Sequence, residues 1–191
     1  MTGITVGYAL CGSFCTFSKT IPQIKELIKR GAKVLPIMSE TAYKTNTRFG
    51  KAEEFISEIE RITEKKIIHT ISDAEPIGPK KMCDLLIIAP CTGNTLSKLA
   101  NGVTDTCVTM AAKSHLRIKR PVLLCIATND GLGSSAQNIG RLLNAKNIFF
   151  VPFGQDDPEK KPNSLVADFT KISESAARAL EYKQIQPLIK A

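Results

Sequence analysis

Leu85–Asp105, LLIIAPCTGNTLSKLANGVTD, is the stretch from which the rest of the chain is read. Leu85-Leu86-Ile87-Ile88-Ala89 is unbroken apolar sequence without polar alternation, the pattern of a strand buried on both faces of a parallel sheet. Pro90 has no N–H to give and a fixed φ, so it is expected to end the ladder. Cys91, Thr92, Gly93, Asn94 and Thr95 follow, small residues rich in hydroxyl, amide and free backbone N–H. From Thr95 the pattern turns helical, with Leu96, Leu99 and Ala100 on one side and Ser97 and Lys98 on the other. A strand that feeds a polar loop opening a helix gathers N–H groups and the helix dipole into an anion site. Such loops lie at the carboxyl ends of strands, where open α/β sheets bind ligands. A single helix cap needs one of these residues. Five in a row favour a ligand loop.

Outward from this stretch the same alternation repeats. Thr5–Leu10 reads as the first strand, followed by Cys11-Gly12-Ser13-Phe14-Cys15 and a helical stripe of Ile21, Ile24, Leu27 and Ile28. Lys33–Met38 is the second strand, with Pro36 suggesting an edge, and Ser39-Glu40-Thr41 at its end. Glu53–Ile62 is an amphipathic helix. Ile67-Ile68 begins a short third strand with His69 at its end, and Ser72–Lys81 reads as a loop. Val103–Ala112 is expected as a helix, and Pro121–Ala127 as a buried strand ending in Thr128-Asn129-Asp130-Gly131. Ser134–Asn144 continues as a helix, and Ile148–Val151 is expected to be the last strand. These β–α units predict an α/β fold, a three-layer doubly wound parallel sheet of Rossmann-like or flavodoxin-like type. Residues 152–168 have three prolines and no periodicity and read as a lid. A C-terminal helix spans 169–183, and the apolar tail Pro187-Leu188-Ile189 is suited to docking on a neighbouring subunit.

With 191 residues the chain fits a single domain, 1–191. No apolar run approaches the length of a membrane span, and the start lacks the pattern of a signal peptide. Six scattered cysteines without a Cys-x-x-Cys pair, and two histidines, give no metal-site spacing, so no metal is expected. A reduced, cytoplasmic protein fits best. The formal charge of +8 suggests anionic partners. Its densest cluster, Lys113, His115, Arg117, Lys119 and Arg120, has no interleaved aromatic and reads as a solvated connection, which disfavours nucleic acid. Gly-x-Gly-x-x-Gly does not follow the first strand, and Glu40 alone is weak support for a nicotinamide ribose. A nicotinamide dehydrogenase is therefore disfavoured.

Three segments carry a family resemblance. Ala89-Pro90-Cys91-Thr92-Gly93-Asn94-Thr95 through Lys98, Ala100, Gly102 and Asp105 resembles the signature of the FMN-binding flavoproteins related to cysteine decarboxylases. Gly12-Ser13 is similar to that family's first phosphate loop, and Ala127-Thr128-Asn129 to its Pro-Ala-Met-Asn segment. The resemblance implies FMN held by Gly12, Ser13 and Phe14, by Ser39, and by Cys91, Thr92, Asn94 and Thr95. Two departures stand out. The family's His-Ile-x-Leu element is replaced near Glu75-Pro76-Ile77-Gly78, with His69 too early to substitute, and its methionine is replaced by Thr128. More narrowly, PCTGNTLSKLANGVTDT, HLRIKRPV, TNDGLG and VPFGQDDPEKKPNSLVADF resemble one branch of the family from spore-forming bacteria. That branch implies an oxidoreductase subunit working with a nicotinamide-binding partner, so that NAD(P) enters only through the partner. The substrate is then a small dicarboxylate, with Asn129, Lys160 and Lys161 as the groups expected to meet it. The family also implies a homo-oligomer, a trimer or a multiple of one. The alternatives are a non-catalytic activating partner, or decarboxylase or flavin-prenyltransferase chemistry on the same fold.

Overall fold

Buried apolar runs alternate with amphipathic stretches, and each becomes a strand or a helix. The computed structural model describes residues 1–190. Along them run β1 (Thr5–Leu10), α1 (Phe17–Lys29), β2 (Lys33–Met38), α2 (Glu40–Lys44), α3 (Ala52–Thr63) and α4 (Ile71–Ala74). Then come β3 (Leu85–Cys91), α5 (Gly93–Ala100), α6 (Cys107–Arg117), β4 (Val122–Thr128) and α7 (Ala136–Leu143). The chain closes with β5 (Ile148–Phe150), β6 (Phe153–Gly154), β7 (Leu165–Ala167) and α8 (Ile172–Leu180). Strands β2, β1, β3 and β4 lie side by side and parallel, and β5 runs parallel beside the first half of β4. Helices α1, α3 and α8 cover one face; α4, α5, α6 and α7 pack with one another on the other side. Every residue of β3 is buried, as the unbroken apolar run requires of a strand covered on both faces.

This is the expected three-layer α/β arrangement of flavodoxin-like type, but the sheet is mixed. Strand β7 pairs antiparallel with Ala127 and Thr128 at the end of β4, and β6 pairs antiparallel with β7. The outer edge of β4 is thus divided, β5 taking Val122–Leu124 and β7 the last residues. β1 connects to β2 on one side and β3 lies on its other side. The direction of winding therefore reverses between β1 and β3, which makes that gap the switch point of the sheet.

Other expectations are corrected in detail. The ladder does not end at Pro90. Strand β3 continues to Cys91 with a register irregularity after Ile88, because the Pro90 carbonyl still accepts from the Cys11 N–H at 3.2 Å. The third strand shrinks to one bridge, Ile68 beside Ile37, on the far side of β2. The segment expected as a loop at 72–81 carries α4 and a 3-10 turn, Glu75–Ile77. The helix expected from Val103 starts at Cys107, because Thr106 is its N-cap. It runs on to Arg117 and carries Ala111, Ala112, Ser114 and His115 inward, so His115 is fully buried rather than solvated. Ile148–Phe150 is not the last strand, since β6 and β7 lie in the segment expected to be irregular; strands of two and three residues are too short to show a period. The helix expected over 169–183 divides into a 3-10 turn, Phe169–Lys171, and α8. The tail lies along its own chain, with the Phe153 N–H donating to Leu188 and the Lys190 N–H to Phe153.

Candidate functional site

The carboxyl ends of β1, β2, β3 and β4 stop at one edge of the sheet and release the polar loops there. Two contacts bind the first loop to the third across the switch point. Besides the bond from Cys11 to Pro90, the Thr95 hydroxyl donates to the Cys11 sulfur at 3.2 Å. The Ser39 N–H donates to Leu10 O at 2.9 Å and brings in the end of β2. Gly12, Ser13, Phe14, Ser39, Thr92, Asn94 and Thr95 therefore belong to one row of strand ends.

Their side chains differ in how far they are committed. Ser39 caps α2 by accepting from the Ala42 N–H at 3.2 Å, and Thr92 caps α5 by accepting from the Thr95 N–H at 3.5 Å. The Ser39 hydroxyl keeps its proton for another partner, whereas Thr92 donates to the Thr95 hydroxyl at 3.3 Å, because Thr95 gives its own proton to Cys11. Ser13 makes no cap and lies 3.8 Å from the Cys15 sulfur, leaving its hydroxyl the least engaged of the set. Asn94 and Asn129 are exposed. Cys91 differs from the others, because its thiol lies in the core and only its backbone can serve a ligand. Burial pushes the Cys11 thiol up to about 11 and the Cys91 thiol well above its usual range, so neither is a thiolate at neutral pH.

Lys160 and Lys161 are exposed, and Lys161 Nζ is 3.4 Å from Asp156 in the same loop. This segment is linked to the end of β4 through the Leu132 N–H, which donates to Asn163 O at 2.9 Å. A cleft of about 720 Å³ opens beside the strand ends, between the start of α1 and the β6–β7 hairpin, lined by Ser18, Lys19, Gln155, Asp156, Asp168 and Lys190. Neither Lys160 nor Lys161 lines it.

Two acids at this edge have roles that the sequence does not show. Glu40 accepts from the Cys107 N–H at 2.9 Å, joining the end of β2 to the start of α6, a structural use of the acid weighed for a ribose. Asp130 accepts from the hydroxyls of Thr128, Ser134 and Ser135, the last two at 2.5 and 3.0 Å. These hydroxyls, Ser134 and Thr128 foremost, hold its carboxyl below the usual aspartate value. The Thr128 that replaces the family's methionine thus has a partner of its own. The signal available for Asp130 is the Gly-Leu-Gly-Ser-Ser run that follows it, which by itself marks only a strand terminus.

The residues present fit a phosphorylated planar ligand. The donors at this edge are amides and hydroxyls, the groups that hold phosphate at strand–helix junctions.

Known proteins share this architecture. The family model described as Flavoprotein matches residues 1–190. The B subunit of dipicolinate synthase from Bacillus subtilis is 48% identical over 189 residues, covering 99% of this chain and 94% of that protein. The crystal structure of the dipicolinate synthase B subunit from Bacillus halodurans superposes with a TM-score of 0.92 at 46% identity, covering 100% of this chain and 97% of that one. Burkholderia xenovorans DmrB, solved in complex with FMN, shares the fold at 17% identity and a TM-score of 0.66, over 94% of this chain and 96% of its own. Sequence signature, sheet order and relatives agree: the chain belongs to the flavoprotein family, among the relatives of the dipicolinate synthase B subunit.

Proposed function

We propose that this chain is an FMN-binding subunit that works with the A subunit of dipicolinate synthase to oxidise dihydrodipicolinate to dipicolinate during sporulation, in the cytoplasm and as a homo-oligomer, a trimer or a multiple of one. The observation that carries this reading is the pairing of Gly12–Phe14 with Thr92–Thr95 across the β1/β3 switch point, tied by the Cys11–Pro90 and Thr95–Cys11 bonds. In sheets of order 2-1-3-4-5 ligands bind at that position, as FMN does in flavodoxin.

In this reading Gly12, Ser13 and Phe14, with Ser39, hold the phosphate through N–H and hydroxyl donors. Thr92, Asn94 and Thr95, with the Cys91 backbone, orient the ring. Asn129 faces the substrate, and Lys160 and Lys161 meet its carboxylates from the 152–168 lid. FMN, when bound, supplies a two-electron acceptor, and NAD(P) belongs to the partner. The chain's own work is to orient the two rings and exclude water. Two measurements test it: an absorbance titration of the protein with FMN, and the rate of dipicolinate formation by the A subunit with and without this chain. A spectral change on binding and a rate that requires this chain support the reading. A flat titration removes the flavin from it.

One observation favours a second reading, a non-catalytic activator of the A subunit. The Glu75–Ile77 turn, where the decarboxylases carry their histidine element, is packed against α6, with the Gly78 N–H donating to the Ser114 hydroxyl at 2.8 Å. That place offers no histidine to act as acid or base, which also counts against decarboxylation. Full activity of the A subunit with FMN-free protein selects this reading.

A further inference from the structure

Asp130 stands where the start of α5 meets the end of β4. It follows Asn129 at the end of β4, and both of its carboxylate oxygens are engaged. Oδ1 accepts from the Thr128 and Ser135 hydroxyls, and Oδ2 from Ser134 at 2.5 Å. Ser135 is 2% exposed, so the cluster is inward-facing on that side. The start of α5 is pressed against it: a Cβ on Gly93 would meet Thr128 Oγ1, Asp130 Oδ1 and Ser135 Oγ, all within 2.8 Å. The run Gly131-Leu132-Gly133-Ser134-Ser135-Ala136 has the small residues of a phosphate-binding turn ahead of α7. Its hydroxyls, however, donate to Asp130, and its Gly133 and Ser135 N–H groups donate to the Asp130 carbonyl at 2.9 and 3.2 Å. The amino ends of α5 and α7 therefore meet at a carboxylate of the chain's own, whose half-buried charge favours both dipoles and opposes a second negative charge.

We propose that Asp130 is a positioning residue that sets ligand orientation by charge: it bars phosphate from the α5 end of the row and leaves that end to an uncharged ring, with Asn129 held beside it. This rests on the flavin reading for the identity of the ring, whereas the exclusion of anions is a property of the chain alone. It assigns opposite roles to the two loops at the switch point, although both start from a strand–helix junction with free N–H groups.

The test compares wild type, Asp130→Asn, Asp130→Ser, Ser134→Ala, which keeps the charge while loosening the cluster, and Ser13→Ala at the other end of the row. Each is first checked for folding by circular dichroism, then titrated with inorganic phosphate, FMN and riboflavin, which lacks the phosphate. Neutralising Asp130 in either variant is expected to strengthen inorganic phosphate binding roughly tenfold or more, while Ser134→Ala stays near wild type. The ratio of FMN to riboflavin affinity is expected to be unchanged in Asp130→Asn and to collapse in Ser13→Ala. Phosphate binding no stronger in both neutral variants than in wild type overturns the proposal. So does an FMN affinity that rises alone in Asp130→Asn, since the phosphate then sits beside residue 130. Failure of wild type to bind either flavin defeats the flavin reading, and the phosphate titration still decides the role of Asp130.

Discussion

The two ends of the sheet are built on different principles. At the amino end, helices and strands close on one another without space. Gly78 lies so near α6 that a Cβ would overlap the Ser114 carbonyl. His115 is fully buried with Nδ1 3.6 Å from the Cys83 sulfur, and Asp84 accepts from the Thr5 N–H and pairs with Arg120 at 3.1 Å. At the carboxyl end, Asn94 and Asn129 are exposed, the Ser13, Ser39 and Thr92 side chains are half-buried, and the loops meet through directed hydrogen bonds and side-chain oxygens rather than main chain. The closest main-chain packing thus lies at one edge and the candidate binding groups at the other. Substitutions should separate the two properties.

The largest effect is expected at the amino end. Gly78→Ala places a methyl group into main-chain atoms that have nowhere to go, and should cost about 3 kcal/mol or more. Urea denaturation should show a lower midpoint with an unchanged slope. A stability within about 0.5 kcal/mol of wild type would break the contrast between the ends.

Acid should act on the same edge. Burial, helped by the positive charge of Arg120, lowers the His115 imidazole to about 4 from its ordinary 6.5. The folded state thus takes up this proton later than the unfolded state does. Stability is full above about pH 6.5 and falls as pH drops towards 4, by on the order of 3 kcal/mol. Denaturation midpoints across that range measure the slope, and His115→Gln should flatten it. A slope unchanged in His115→Gln would assign the acid response to other groups.

At the carboxyl end the balance reverses. Gly93→Ala pushes against side-chain oxygens of Thr128, Asp130 and Ser135 rather than main chain. It should cost about 1–2 kcal/mol of stability while abolishing detectable FMN binding. Ser13→Ala removes a hydroxyl with only a distant sulfur contact, so stability should hold within about 0.5 kcal/mol. FMN affinity should drop about tenfold, the worth of one hydrogen bond to a charged group. The smallest effect belongs to Lys161→Ala. Its ion pair with Asp156 is exposed and contributes about 0–1 kcal/mol, so only the KM for the dicarboxylate should rise. A KM unchanged in both Lys160→Ala and Lys161→Ala would remove these lysines from the proposed site.

Which of these features are legible in the sequence follows from the range of the interactions involved. The apolar runs of β1, β2, β3 and β4 announce themselves, because burial on both faces leaves almost no polar residue in them. The polar strand termini at Ser13, Thr92 and Asn129 are visible for the converse reason. The β6–β7 hairpin is not, because two- and three-residue strands have no period and draw their register from β4. His115 looks like part of a basic surface because its neighbours Lys113 and Arg117 are exposed, while the helical turn places it inward. Asp130 shows the limit for the site. Its residue type suggests a turn, and its role depends on Gly93 from another loop meeting three side-chain oxygens, a contact between segments far apart in the chain.

The most direct test of the central claim is a difference spectrum of the wild-type protein titrated with FMN, run beside Ser13→Ala. A saturable perturbation of the flavin bands is expected, weakened about tenfold in Ser13→Ala. A spectrum identical to free FMN at saturating concentration would contradict it.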